Sequence, residues 1–497
     1  MEMDPYVVLG LAPNANDHDI KSAYRRAARR LHPDVNQNNP GAAVQFSDIT
    51  AAHELLTNVD RRVAYDREAA EAQSENQLTL GFRITPSKRV VGPLSEPQVI
   101  YLLAEIIPDP RARDKQEQKH ESRLNLTLVL DHSNSMNGSR IDEVKVAAHR
   151  IIDQLSPDDI FSVVGFNDFS EVLIPATPVK DKAALKARVS MMNASGGTEI
   201  FKGLEAGIAE NRTYLGPRLV NHIVLLTDGN TYGDQERSVN LARVVAKEGI
   251  AISAMGLGQE WNDEFLDELA SATGGTSEYI KSASAVVRFL NDHIRNLSNV
   301  FAERVQISVA PDPDVRLESA FKLAPNPQAL SITQGYIPLG SLQTTRKISV
   351  LLQFEMPADM KAGFRSIARL VLNADILANR RQQHIALSDI SLEISESPRP
   401  EEPPTAIVDA LGKLTLYRMQ ERAREAIERG DIQEATSRLE NLEARLLAMG
   451  EVELAQQARS EAQQVAYTNN LSDKGRKALK YQTRHLLLGS SVEEQPE

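Results

Sequence analysis

Three oxygen-bearing side chains stand at alternate positions in the chain. Asp131, Ser133 and Ser135 follow the mostly apolar run 124–130, LNLTLVL, which predicts a buried strand. One carboxylate and two hydroxyls in a single loop suit a hard divalent cation, because Mg²⁺ takes few carboxylates together with neutral oxygens and water. Asp and Ser after a strand also form simple turns and helix caps, so the motif needs support from elsewhere in the sequence.

Two further oxygen donors are expected at the same place. Strand and helix patterns alternate over residues 124–300, which predicts an α/β sheet whose ligands bind beyond the carboxyl ends of its strands. One donor directly follows the apolar run NHIVLLT, and the other lies in the glycine-rich segment SGGTEI, which opens a helix. The sequence therefore predicts that five oxygen donors from three loops converge: Asp131, Ser133, Ser135, Thr198 and Asp228.

This pattern resembles a von Willebrand factor A domain with an intact metal-ion-dependent adhesion site. The resemblance makes 131–135 the D-x-S-x-S loop, Thr198 the second-loop threonine and Asp228 the third-loop aspartate, with Mg²⁺ or Mn²⁺ as the metal. Only two carboxylates leave the metal a net positive charge and an open position for a partner's Asp or Glu. Asn134 replaces a frequent glycine and is expected to tolerate φ > 0, whereas His132 is expected to be packed or solvated.

A helix with a basic face is predicted at residues 16–31, NDHDIKSAYRRAARRL. Asn16 followed by Asp19 is typical of a helix start, and apolar residues recur at helical spacing. The exposed face carries what we call the basic ridge: Lys21, Arg25, Arg26 and Arg29. Like charges four residues apart repel, so the ridge favours an acidic partner. The helix must end near Leu31, because Pro33 disfavours helical geometry at His32.

The N-terminal segment resembles a J domain over residues 4–68. The resemblance is carried by Pro5-Tyr6, Leu9-Gly10, the segment IKSAYRRAARRLHPDVN and the closing residues Arg62, Tyr65 and Asp66. It implies that the basic ridge docks on a DnaK-type chaperone ATPase and that His32, Pro33 and Asp34 trigger its ATP hydrolysis. The chain lacks a Gly/Phe-rich stretch and a cysteine zinc module, so it resembles the specialised J proteins, whose other domains choose the client or location.

The remaining segments complete a four-part chain. Residues 1–70 form the J domain and 124–300 the A domain, while strand patterns at 78–108 and 302–397 predict one β-sandwich. A two-stranded ribbon alone is barely stable, so we expect the A domain to be inserted into this sandwich, with the sandwich away from the Asp131 loop. Residues 405–490 show helical periodicity and predict a helical bundle that packs on another domain or self-associates. The expected fold is thus multidomain α+β and α/β.

Composition excludes several classes of protein. The 497 residues contain no cysteine, so disulfides, thiolate zinc sites and thiol nucleophiles are excluded. A net charge of −12 disfavours nucleic acid as the main partner. No run approaches the roughly 18 apolar residues of a membrane helix, and the N-terminus does not read as a secretory signal. We expect a cytoplasmic protein without membrane insertion.

Three functions are compatible with parts of this sequence. The leading hypothesis is a non-enzymatic adaptor, whose A domain binds an unknown protein presenting an acidic residue while its J domain activates a DnaK-type chaperone there. The alternative is a subunit of a chelatase-like or complex-remodelling machine driven by an AAA+ ATPase. That ATPase would be a separate protein, because this chain has no phosphate loop. A hydrolase using Asp131, Ser133 and a histidine is disfavoured, since no G-x-S-x-G elbow and no placed base occur.

Overall fold

The computed structural model describes residues 5–11, 15–32, 40–73, 78–112, 123–216, 219–231, 233–332, 335–379, 383–399 and 401–489. Within them lie an N-terminal group of helices, an α/β domain between the strands of a β-sandwich, and a C-terminal helical domain. The expected fold class is confirmed. No helix in these ranges is long and apolar enough to cross a membrane.

Four helices make up the N-terminal domain: α1 Pro5–Leu9, α2 Asp17–Leu31, α3 Pro40–Thr57 and α4 Val59–Gln73. The Asn16 side chain caps α2 by accepting the Asp19 amide at 2.9 Å. Ile20 of α2 and Leu56 of α3 are fully buried between the two helices. Arg62 of α4 ties the domain together, because it donates to the Tyr6 hydroxyl at 3.0 Å and to the Ala15 carbonyl at 2.6 Å.

Two five-stranded sheets form the sandwich, in the orders β1-β3-β14-β11-β12 and β13-β10-β15-β16-β2. The strands before the α/β domain are β1 Leu80–Pro86, β2 Val90–Val91 and β3 Gln98–Pro108. The strands after it are β10 Val300–Pro311, β11 Arg316–Ala324, β12 Gln328–Leu330, β13 Tyr336–Gln343, β14 Ile348–Met356, β15 Gly363–Ile376 and β16 Gln383–Ile394. One hydrophobic core joins both groups, because β3 pairs with β14 over nine residues of register.

The α/β domain is a six-stranded sheet in the order β6-β5-β4-β7-β8-β9, parallel except for β6. Its strands are β4 Arg123–Asp131, β5 Ile160–Phe166, β6 Ser170–Pro178, β7 Leu219–Thr227, β8 Ala251–Leu257 and β9 Ser277–Ile280. Its helices are α5 Ser139–Gln154, α6 Lys182–Ser190, α7 Ile200–Arg212, α8 Gln235–Ala246, α9 Asp263–Ser271 and α10 Ala283–Ser298. The sandwich meets its amino edge, where Arg304 lies against Gly249.

Four helices close the described chain: α11 Thr405–Glu428, α12 Ile432–Ala448, α13 Val452–Thr468 and α14 Asp473–Gly489. Apolar residues of α11 pack on the sandwich, with Ile407 and Leu414 in one cluster with Leu103 and Phe321. Helix α14 packs on the α/β domain instead, where Tyr481 joins the core around Trp261. The C-terminal domain therefore binds both neighbouring domains.

Candidate metal site and chaperone-binding surface

Two aspartates lie side by side at the carboxyl ends of the central strands, which we call the carboxyl edge. Asp131 is the last residue of β4, and Asp228 directly follows β7. The parallel register pairs Leu130 with Leu226, which brings the two strand ends level. Both carboxylates are buried, with exposed fractions of 0% and 1%. Two buried carboxylates in one place call for a compensating cation.

The hydroxyls of the first loop connect these carboxylates. Ser135 donates to Asp228 Oδ1 at 2.7 Å, and the hydroxyls of Ser133 and Ser135 are 2.9 Å apart. Asp131 accepts the Ser133 amide at 2.8 Å and the Thr227 hydroxyl at 2.6 Å. The D-x-S-x-S loop is therefore folded around both aspartates.

The glycine-rich second loop is fixed against the first. Its backbone bonds join Asn134 N to Gly196 O at 3.0 Å and Ser195 N to His132 O at 2.7 Å. Asp168 accepts the Gly197 amide at 2.8 Å, so a side chain at Gly197 would collide with that carboxylate. These contacts set the backbone immediately before Thr198.

Thr198 faces the third loop. A β-carbon at Gly229 would lie only 3.2 Å from Thr198 Oγ1, which shows how closely the two loops approach. Gly229 directly follows Asp228, and the Thr231 hydroxyl accepts the Ile200 amide at 3.2 Å. The structure thus brings Asp131, Ser133, Ser135, Thr198 and Asp228 together at one edge.

The chemistry of this donor set fits a hard cation. It offers two carboxylates and three hydroxyls, which are ligands that Mg²⁺ accepts, and no sulfur. Burial raises the pKa of the Asp131 carboxyl, and the neighbouring Asp228 charge raises it further. Among the residues that the structure describes, no group of three or more His, Cys, Asp and Glu forms a separate metal-binding cluster.

Asn134 and His132 lie between the donor residues of the first loop. Asn134 begins a short 3-10 helix, Asn134–Met136, and is not among the described residues with positive φ. The loop therefore turns in the right-handed sense at Asn134, and the tolerance of asparagine for positive φ is not needed there. His132 is largely buried, and its Nδ1 lies 3.0 Å from the Asn193 carbonyl oxygen.

Sequence reasoning missed two residues of the site, Thr227 and Arg140. Thr227 ends an apolar strand with a hydroxyl, a signal that could have been read beside Asp228. Arg140 lies on α5, donates to the Ser135 carbonyl at 3.1 Å and pairs with the Asp228 carboxylate. Nothing in the sequence pattern distinguishes Arg140 from other basic residues on exposed helix faces.

The basic ridge lies on α2. The side chains of Lys21, Arg25, Arg26 and Arg29 are all exposed. His32 directly follows α2 and is also exposed, with its ring edge-on to Phe46 at 5.5 Å. Pro33 and Asp34 lie outside the described residues. The ridge presents an accessible cationic face to a partner, with the exposed His32 directly after its helix.

Comparison with known proteins places this chain in a family and identifies three of its domains. An uncharacterized protein of Synechocystis, sll0103, is 30% identical over 334 residues, which cover 65% of this chain and 78% of that protein. The chain belongs to the Sll0103-like family. The Sll0103-like C-terminal α-helical domain matches residues 405–489, the von Willebrand factor type A domain 125–296 and the DnaJ domain 4–66. Both resemblances seen in the sequence are confirmed at the level of domains.

Other relatives of this Sll0103-like protein share single parts or the fold. The Drosophila DnaJ homolog shv is 48% identical over 64 residues, which are 13% of this chain and 18% of that protein. Chaperone protein DnaJ of Carboxydothermus hydrogenoformans is 46% identical over 67 residues, 14% and 18% of the two chains. This chain therefore spans less than a fifth of the J proteins that it matches.

Two solved structures share the fold of the larger part. A von Willebrand factor type A protein from Catenulispora acidiphila has a TM-score of 0.66 at 16% identity, covering 82% of this chain and 96% of that one. The ArnB paralog VWA2 from Sulfolobus acidocaldarius has a TM-score of 0.52 at 14% identity, covering 84% and 100%. At these identities the comparison shows the fold alone.

Proposed function

We propose that this protein is a non-enzymatic co-chaperone adaptor of the cytoplasm. In this proposal the A domain binds an acidic residue of a protein partner through Mg²⁺, and the J domain stimulates a DnaK-type chaperone ATPase at that partner. One observation carries the proposal: a chain that bears a J domain also gathers five oxygen donors from three loops at one edge of its A domain.

Each site residue has a separate part. Asp131, Ser133, Ser135, Thr198 and Asp228 would hold the metal, which when bound supplies a positive centre for an incoming carboxylate. Thr227 and the Ser133 amide hold Asp131 in place. Because metal occupancy and partner binding are linked, each would strengthen the other.

The J domain supplies the second contact. The exposed basic ridge would attract acidic chaperone surface, which mainly sets the rate and register of association. His32, Pro33 and Asp34 would then act on the chaperone ATPase. The chain itself would perform no catalytic step in this role.

Affinity capture in Mg²⁺ and in EDTA tests the metal half of the proposal. Ser135→Ala removes a hydroxyl that donates to Asp228, whereas Ser139→Ala removes an exposed hydroxyl on α5 four residues away. We expect the first variant to lose the Mg²⁺-dependent protein partner and the second to retain it. Capture that survives both EDTA and Ser135→Ala would contradict the metal role.

A further inference from the structure

A cation already lies at the candidate metal site, and it belongs to the protein. Arg140 is the second residue of α5 and lies two residues after Gly138, which has a φ of +80°. Its guanidinium donates to the Ser135 carbonyl at 3.1 Å and pairs with Asp228. Arg140 thus contacts Oδ2 of the same carboxylate whose Oδ1 accepts the Ser135 hydroxyl.

The charges at the site are unequally compensated. Asp131 is held by neutral donors, namely the Ser133 amide and the Thr227 hydroxyl. Asp228, by contrast, forms an ion pair with Arg140. One buried carboxylate is therefore neutralised by a charge that comes from the protein itself.

Arg140 can leave this position without crossing the core. Its side chain is 39% exposed, whereas the Asp228 side chain is fully buried. A long, flexible arginine can extend into water and keep its charge solvated. A divalent cation entering beside Asp228 would repel the guanidinium toward that open side.

We propose that Arg140 is a resident counter-ion that competes with the divalent cation for Asp228. This inference rests on the proposed function, because it concerns the same metal site. In the metal-free protein, Arg140 keeps the buried carboxylate paired. The metal must displace Arg140 from Asp228 in order to bind. The metal affinity of the wild-type protein is therefore lower than it would be without this arginine.

Titration calorimetry of the full-length protein with MgCl₂ alone tests this role. Arg140→Gln removes the charge but keeps a donor for the Ser135 carbonyl, and we expect it to bind Mg²⁺ about fivefold more tightly. That factor corresponds to about 1 kcal/mol, the usual upper size of a partly exposed ion pair. Arg140→Lys retains the charge and should stay within about twofold of wild type.

The control is Arg150→Gln, which removes an exposed arginine from the same helix and should leave the affinity unchanged. If wild type binds Mg²⁺ and Arg140→Gln binds equally or more weakly, the competition is overturned while the metal site stands. If none of the four proteins binds Mg²⁺, the metal site itself fails and the competition with it. Circular dichroism melting of each variant separates these outcomes from unfolding.

Discussion

Helix α14 is held on the A domain by an ionic network centred on Asp267 of α9. Asp267 accepts from Arg484 at 2.6 Å and from Lys480 at 2.7 Å, and Lys480 also reaches Asp263 at 2.8 Å. The two basic side chains are each only 9% exposed. We predict that Asp267→Asn strongly destabilises the docking of α14, because it leaves two nearly buried cations short of a counter-charge.

The structure sets the size of this effect. Removing one partner of a buried ion pair costs roughly 3–5 kcal/mol, and Asp263 still compensates part of the charge on Lys480. We therefore expect a loss of about 3 kcal/mol, or roughly 150-fold in the docking equilibrium. The pairing is between residues more than 200 positions apart, so its loss should not disturb the local helices.

The single tryptophan reports this docking directly. Trp261 is 2% exposed, lies 5.8 Å from the Tyr481 ring and is covered by Lys477, whose Nζ donates to the Trp261 carbonyl at 2.6 Å. Exposure of Trp261 to water shifts its fluorescence to longer wavelength. In urea titrations, this shift should occur at a lower urea concentration for Asp267→Asn than for wild type. The matched control is Asp473→Asn on α14, because Asp473 is 76% exposed and pairs only at 3.5 Å. Superposable curves for wild type and Asp267→Asn would refute the role of this network.

The same network predicts a pH dependence. Burial alone would raise the pKa of Asp267, but the charges of Arg484 and Lys480 outweigh it and hold that pKa well below the ordinary value of 3.8. A carboxyl whose pKa is lowered by folding contributes stability above its ordinary pKa and loses that stability as the pH falls toward the folded value. The tryptophan transition of wild type should therefore weaken below about pH 4, and Asp267→Asn should show a smaller acid loss.

Two further predictions concern the loops and the domain contacts. Gly197→Ala should lower the Mg²⁺ affinity severalfold in calorimetry, because its β-carbon would lie 2.5 Å from Asp168 Oδ1. A β-carbon at Gly412 meets open space, so Gly412→Ala should leave the Mg²⁺ affinity unchanged. Arg369→Ala removes the 2.5 Å pair that joins sandwich residue Arg369 to Asp48 of α3. The variant should have a larger radius of gyration than wild type in small-angle X-ray scattering, because the J domain loses a contact with the sandwich. Arg365 pairs with Asp314 within the sandwich, so Arg365→Ala should leave the radius of gyration unchanged.

Local patterns allowed much of this architecture to be predicted from the sequence. Asp131, Thr198 and Asp228 could be placed together because parallel strands deliver their carboxyl ends to one edge. The right-handed turn at Asn134 could not be predicted, because the direction of a turn depends on its neighbours, here the backbone bond from Asn134 to Gly196. Arg140 was missed because a basic residue in the first turn of a helix gives no sign of where its side chain folds.

Helix α14 shows why some long-range contacts could not be predicted. Its segment carries Lys477, Lys480 and Arg484, which favour an exposed helix by composition. In the structure all three are nearly buried, because carboxylates and carbonyl oxygens of the A domain receive them. Such compensation comes from residues far away in the chain, so periodicity alone does not reveal it.

The proposed activation of a chaperone ATPase can be measured by single-turnover ATP hydrolysis by a DnaK-type chaperone. Wild type should accelerate the hydrolysis and Asp34→Asn should not. Arg29→Ala, on the exposed basic ridge, should require more protein for half-maximal stimulation, while Arg61→Ala on α4 should match wild type. Equal stimulation by wild type and Asp34→Asn, or none by wild type, would contradict the account.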